Sequence, residues 1–137
     1  MKKKFFCCVF LLTCLFILLF SFSFNKTLKL ENINLITIKY YYHEKKINEN
    51  IYNLSEINKL INIFSVKYFK DNPSCGFSED ISFEFISNNS KLTFCPALDG
   101  CPIIKILEKN VYILIENNQQ KVMDDILKNY GFIFPAL

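Results

Sequence analysis

The chain has 137 residues, 51% hydrophobic and 21% charged, with a formal net charge of +3. All 16 of its basic residues are lysines, and Lys2, Lys3 and Lys4 stand before a long apolar run, so the rest of the chain balances its lysines against 13 acidic residues. A formally neutral body without arginine argues against nucleic-acid recognition, which relies on basic patches and bidentate arginine contacts, and it offers little long-range steering of charged ligands.

Residues 5–24 read FFCCVFLLTCLFILLFSFSF and carry no charge. At about 1.5 Å of rise per residue, about 20 apolar residues span the roughly 30 Å hydrocarbon core of a bilayer. A lysine-rich flank stays on the cytoplasmic side, which predicts that everything after Phe24 lies outside the cell membrane. Two fates stay open for this helix. The run exceeds the roughly 7 to 15 apolar residues of a secretory signal, which favours a retained signal-anchor and a single-pass protein. Ser21-Phe22-Ser23 nevertheless supplies the small residues of a cleavage site, and cutting near Ser23 would release a secreted protein. Lipid attachment at Cys14 is disfavoured, because Thr13 is a poor neighbour and the chain stays apolar after the cysteine. Cys7, Cys8 and Cys14 read as small hydrophobes within the membrane helix.

Residues 25–34 (NKTLKLENIN) read as a polar stalk, and residues 35–137 as one exported domain, the size of a single core. Leu35 to His43 is rich in β-branched and aromatic residues and predicts a strand with Ile36, Ile38, Tyr40 and Tyr42 on one face. Its three consecutive tyrosines invite a sugar-stacking reading, which ordinary strand packing outweighs. Glu44 to Asn50 turns the chain, with room for a short returning strand near Ile47 to Tyr52.

A helix follows. Asn53 at the N-cap and Glu56 three residues later form a capping-box pattern, with Tyr52 and Ile57 at the staple positions. Ile57, Leu60, Ile61, Phe64 and Tyr68 repeat at helical spacing, and Asn72-Pro73 is the predicted end. Ile81 to Ser87 and Lys91 to Cys95 alternate around Asn88-Asn89-Ser90 as a hairpin. Ile103 to Leu107 and Val111 to Ile115 form a second hairpin around Glu108-Lys109-Asn110. A last helix runs from about Asn118 to Tyr130, with Val122, Met123, Ile126, Leu127 and Tyr130 as its apolar stripe and Gly131 at the C-terminal cap. The uncharged tail from Phe132 to Leu137 is expected to dock on the core. This order implies an α+β fold: an antiparallel sheet of about five strands with two helices packed on it.

Beyond the apolar run the thiols are Cys75, Cys95 and Cys101, in a compartment expected to oxidise them. If Phe83 faces Phe94 and Phe85 faces Leu92, the same register carries Cys101 opposite Gly76, beside Cys75. Strand spacings of roughly 5 Å match the reach of a disulfide, so the expected pair is Cys75–Cys101. Cys95 is then left on the face opposite Phe94, as a free thiol or one available to another chain. A Cys95–Cys101 bridge across the CPALDGC loop is the main rival.

Catalytic and metal readings are weaker. Cys75, Cys95, Cys101 and His43 lack the close ligand spacing of a zinc knuckle, and nothing in the sequence positions Cys75 against His43 as nucleophile and base. Redox C-x-x-C, HExxH, phosphate-loop and G-x-S-x-G patterns are missing from the chain. Asp124-Asp125 and Glu79-Asp80 are paired acids of the kind that surfaces usually solvate. The sequence therefore implies no cofactor and no enzyme. It predicts a membrane-tethered or secreted binding module, with an unknown protein or envelope component as its ligand. The alternative is a thiol-dependent activity, or a disulfide-linked dimer, through the unpaired cysteine.

Overall fold

Alternating Ile36, Ile38 and Tyr40 with Thr37, Lys39 and Tyr41 gives the chain its first and longest strand, one face apolar and one polar. A computed structural model gives the fold and describes residues 27–42, 44–88 and 90–131, with Tyr42 and Lys45 described in their backbone only. The apolar run 5–24, His43 and the tail 132–137 lie outside the described residues. Among the described residues, no helix is long and apolar enough to cross a membrane.

The strands are β1 (Ile33–Tyr42), β2 (Lys45–Ile51), β3 (Tyr68–Phe69), β4 (Ile81–Ser87), β5 (Lys91–Pro96), β6 (Ile103–Ile106) and β7 (Val111–Leu114). Two helices, α1 (Leu54–Phe64) and α2 (Asn117–Asn129), complete an α+β domain. All pairings are antiparallel in one sheet of order β2-β1-β4-β5-β6-β7-β3. The sheet thus has seven strands where the sequence predicts about five. The two-residue β3 and the polar β2, for which the sequence left room near Ile47 to Tyr52, are the additions, and each sits at an edge, where only a weak apolar pattern is needed.

Phe83 lies across from Phe94 and Phe85 from Leu92, the register expected of that hairpin. The inner face buries Ile36, Ile38, Phe83, Phe85, Phe94, Ile104, Ile106 and Ile113. Against it α1 sends Ile57, Leu60, Ile63 and Phe64, and α2 adds Met123, Ile126 and Leu127 to the same core. The Phe64 ring is the keystone, its centroid 5.5, 5.0 and 4.7 Å from those of Phe83, Phe85 and Phe94. Such tilted and edge-on contacts favour aromatic clusters beyond the area they bury.

Four local expectations are corrected. Helix α1 ends at Phe64, and Tyr68 belongs to β3 although it falls at helical spacing. Asn53 caps the helix by accepting from the Ser55 and Glu56 N–H groups, but Glu56 does not reach back to it. The Glu56 carboxylate instead accepts from the Tyr130 hydroxyl at 2.6 Å, tying α1 to the end of α2. Tyr52 is 69% exposed, so the staple with Ile57 is not made. Finally, the segment read as a stalk enters the fold: Leu28 and Leu30 are buried, Leu28 N–H donates to the Val66 carbonyl, and Thr27 bridges Lys67.

Candidate functional site

Both helices pack on the inner face, so the outer face is where the sheet can meet a ligand. Residues opposite the core on β1, β4 and β5 are Thr37, Lys39, Ser82, Glu84, Lys91, Thr93 and Cys95. Lys39 Nζ and Lys91 Nζ both donate to Glu84 Oε1, at 2.8 and 2.9 Å. Partial burial pushes the Glu84 carboxyl up, yet the two ammonium hydrogen bonds outweigh it and hold the group below its ordinary range. The hydrogen bond to Glu84 raises Lys91 in turn. Beside this triad, the N–H and hydroxyl of Thr93 donate to the two oxygens of Glu108, at 2.8 and 2.6 Å.

These residues, with Glu79, Ser82 and Leu107, line a shallow groove of about 300 Å³. The small Ser82 and Thr93 form its floor, both buried beneath longer neighbours. Each lysine keeps further N–H donors beyond the bond it gives Glu84. The groove therefore presents fixed ammonium groups and carboxylates in alternation, chemistry suited to hydrogen-bonded recognition of a polar surface of mixed charge.

At Tyr112 on β7 the outer face is closed. Phe77 bridges Ala97 and stacks near Tyr112, whose ring also meets Phe69, while the Tyr112 hydroxyl donates to Asn72 at 2.6 Å. Cys75 and Cys101 are paired there, with Cα atoms 6.1 Å apart. Asp99 organises the loop: its carboxylate accepts from the Gly76 N–H at 2.6 Å and the Cys101 N–H at 3.2 Å. Those backbone hydrogen bonds, Gly76 first, lower its pKa. A Cβ on Gly76 would come 3.5 Å from that carboxylate, ordinary contact, so the residue is not required by space alone. Cys75, Asp99 and Cys101 offer three possible ligand atoms within 4.8 Å of one another, but the sulfurs are committed to each other, which leaves a metal one carboxylate.

Cys95 lies apart from this pair and is 1% exposed. Burial, with the nearby Glu79 and Glu108 carboxylates, pushes its thiol up to about 11. Its neighbours hide it from another chain, contrary to one of the two roles expected from sequence, and it does not join Cys75 and Cys101 as a ligand set. His43, the fourth member of that reading and the proposed base for Cys75, lies outside the described residues. Neither remaining acidic pair joins a cluster of possible metal ligands among the described residues. Asp124 is raised by burial, Asp125 meets Lys128 at 3.5 Å, and the Asp80 carboxylate accepts from the Ser78 hydroxyl. The tyrosine run does not form a platform either, since Tyr40 is buried in the core and Tyr41 is 57% exposed on the other side.

Sequence reasoning missed Lys39, Glu84, Lys91 and Asp99. The hairpin register alone sets Lys91 diagonal to Glu84, a signal that was present. Lys39 reaches Glu84 only because β1 pairs with β4, which no local pattern announces. No protein-family model, curated protein or solved structure matches this chain, so its reading rests on its own residues.

Proposed function

We propose that this protein is an exported binding module, tethered by residues 5–24, whose open outer sheet face recognises a protein or envelope component. The observation that carries the proposal is the Lys39–Glu84–Lys91 triad in its groove, a fixed pattern of charge on a face that neither helix covers. Its ionisable groups are spoken for as positioned donors and acceptors: Glu84 by two lysines, Glu108 by Thr93. Against the thiol-dependent alternative stands Cys95, which is buried and holds its proton well above neutral pH.

The test compares the full chain with a Lys39→Ala/Glu84→Gln/Lys91→Ala variant as baits in native membranes. A partner captured by the parent chain and lost from the equally folded variant supports the proposal. A partner retained equally by both overturns the role of this face, and rapid thiol labelling of folded Cys95 would favour the alternative.

A further inference from the structure

The apolar run ends at Phe24, and Thr27 is already part of the fold through its bridge to Lys67. Three Cα steps of 3.80 Å carry the chain at most about 11 Å from Phe24 to Thr27. The headgroup layer on either side of a bilayer core is itself about 5 to 8 Å thick. A domain held that closely cannot stand clear of the membrane that anchors it. The question is which surface it lays down.

Thr27 and its neighbours answer it. Lys67 lies across from Thr27 on one side. On the other, Tyr68 pairs with Ile113, so the same register sets Leu114 across from Lys67. Leu114 is 57% exposed, a large apolar side chain left in solvent at this end of the sheet. Leu28 and Leu30 turn inward, which leaves Lys29 exposed on the same short segment as Thr27. An exposed leucine among lysines suits a bilayer interface, where the ammonium groups reach phosphates and the apolar group enters the acyl boundary. Glu31 and Glu116 flank the patch in sequence and confine it.

We infer that the β3 edge of the sheet carrying Thr27, Lys67 and Leu114, with Lys29 two residues along the chain from Thr27, rests on the surface of the bilayer that holds residues 5–24, against anionic phospholipid headgroups. The inference rests on the tethered reading above. The opposite edge, β2, is thereby turned away from the lipid.

The experiment places the full chain in lipid nanodiscs of phosphatidylcholine with about one-third phosphatidylglycerol and measures acetylation of each lysine by mass spectrometry. The comparison is the same chain with a flexible Gly-Ser spacer of about 20 residues inserted after Asn25. Lys29 and Lys67 should be acetylated at least about fivefold more slowly in the parent chain, and Lys46 on β2 equally in both. In discs of phosphatidylcholine alone, the protection of Lys67 should weaken by about twofold or more. Equal rates for Lys67 with and without the spacer overturn the contact, and equal protection in both lipids overturns the anionic partner. Intact mass of the chain recovered from native membranes separates the two levels. Loss of residues 1–23 would remove the tether and this inference with it, whereas a retained segment with unprotected lysines would refute the orientation alone.

Discussion

On the outer face of the sheet, β1, β4 and the start of β5 follow the same alternation as the end of β5 and β7, and their side chains end in different surroundings. Lys39 and Glu84 meet solvent in an open groove, while Cys95 and Tyr112, at equivalent positions of the pleat, are 1% and 4% exposed. The covered half lies under the connection between β3 and β4, held by the Phe77–Ala97 bridge, the Asp99 hydrogen bonds and the Cys75–Cys101 pair. Strand alternation decides which face a side chain takes. Whether that face is wet depends on a second layer that arrives from elsewhere in the chain.

The largest effect should come from the residue that serves both halves. Phe64→Ala removes the ring beneath Phe83, Phe85 and Phe94 and should cost about 3 to 5 kcal/mol, read as a lowered denaturant midpoint. Next, a Cys75→Ser/Cys101→Ser variant should lose on the order of 3 kcal/mol, because it opens a loop of sequence separation 26. In that variant Cys95 should label much faster with a thiol reagent, while the Lys39–Glu84–Lys91 face should keep the binding proposed for it. Faster labelling together with lost binding would mean that the two halves are not separable.

An alkaline titration sharpens the contrast further. Cys95 under the cover is raised from 9.0 to about 11 by burial. Tyr130 is raised from 10.0 to about 12 by burial and by its bond to Glu56. Both are acids whose folded pKa exceeds the unfolded value, so their stabilisation is complete below pH 9 and drains away as the pH climbs from 9 to 12. Cys95→Ala should flatten the first part of that decline and Tyr130→Phe the second, measured as unfolding midpoints across the range. The smallest effect belongs to the open half. Glu84→Gln should cost no more than about 1 kcal/mol, and less in high salt, since both lysine partners are half exposed.

Much of the inner architecture was legible in the sequence. Asn53 announced the start of α1, and the alternation of Ile81, Phe83 and Phe85 against Leu92 and Phe94 set a register that brought Cys75 near Cys101. The end of α1 was hidden because Tyr68 lies four residues beyond Phe64, a spacing that a helix and a short strand after a turn both satisfy. Leu28 and Leu30 were masked by lysine, glutamate and asparagine around them, and only the docking of Leu28 beside Val66 and the burial of both show them as core. The groove was the least legible part. Lys39 and Glu84 stand 45 positions apart, and their meeting follows from topology rather than from any local motif.

The place of β1 between β2 and β4 also bears on how the chain reaches its native form. As a polypeptide is made or moved from its N-terminus, β1 can zip onto β2 at once, but its other side must wait until β4 has emerged. During that interval a row of isoleucines and tyrosines presents unpaired amides to any passing strand. Until β4 arrives, that side of β1 is a bare strand edge, the kind of template through which chains associate.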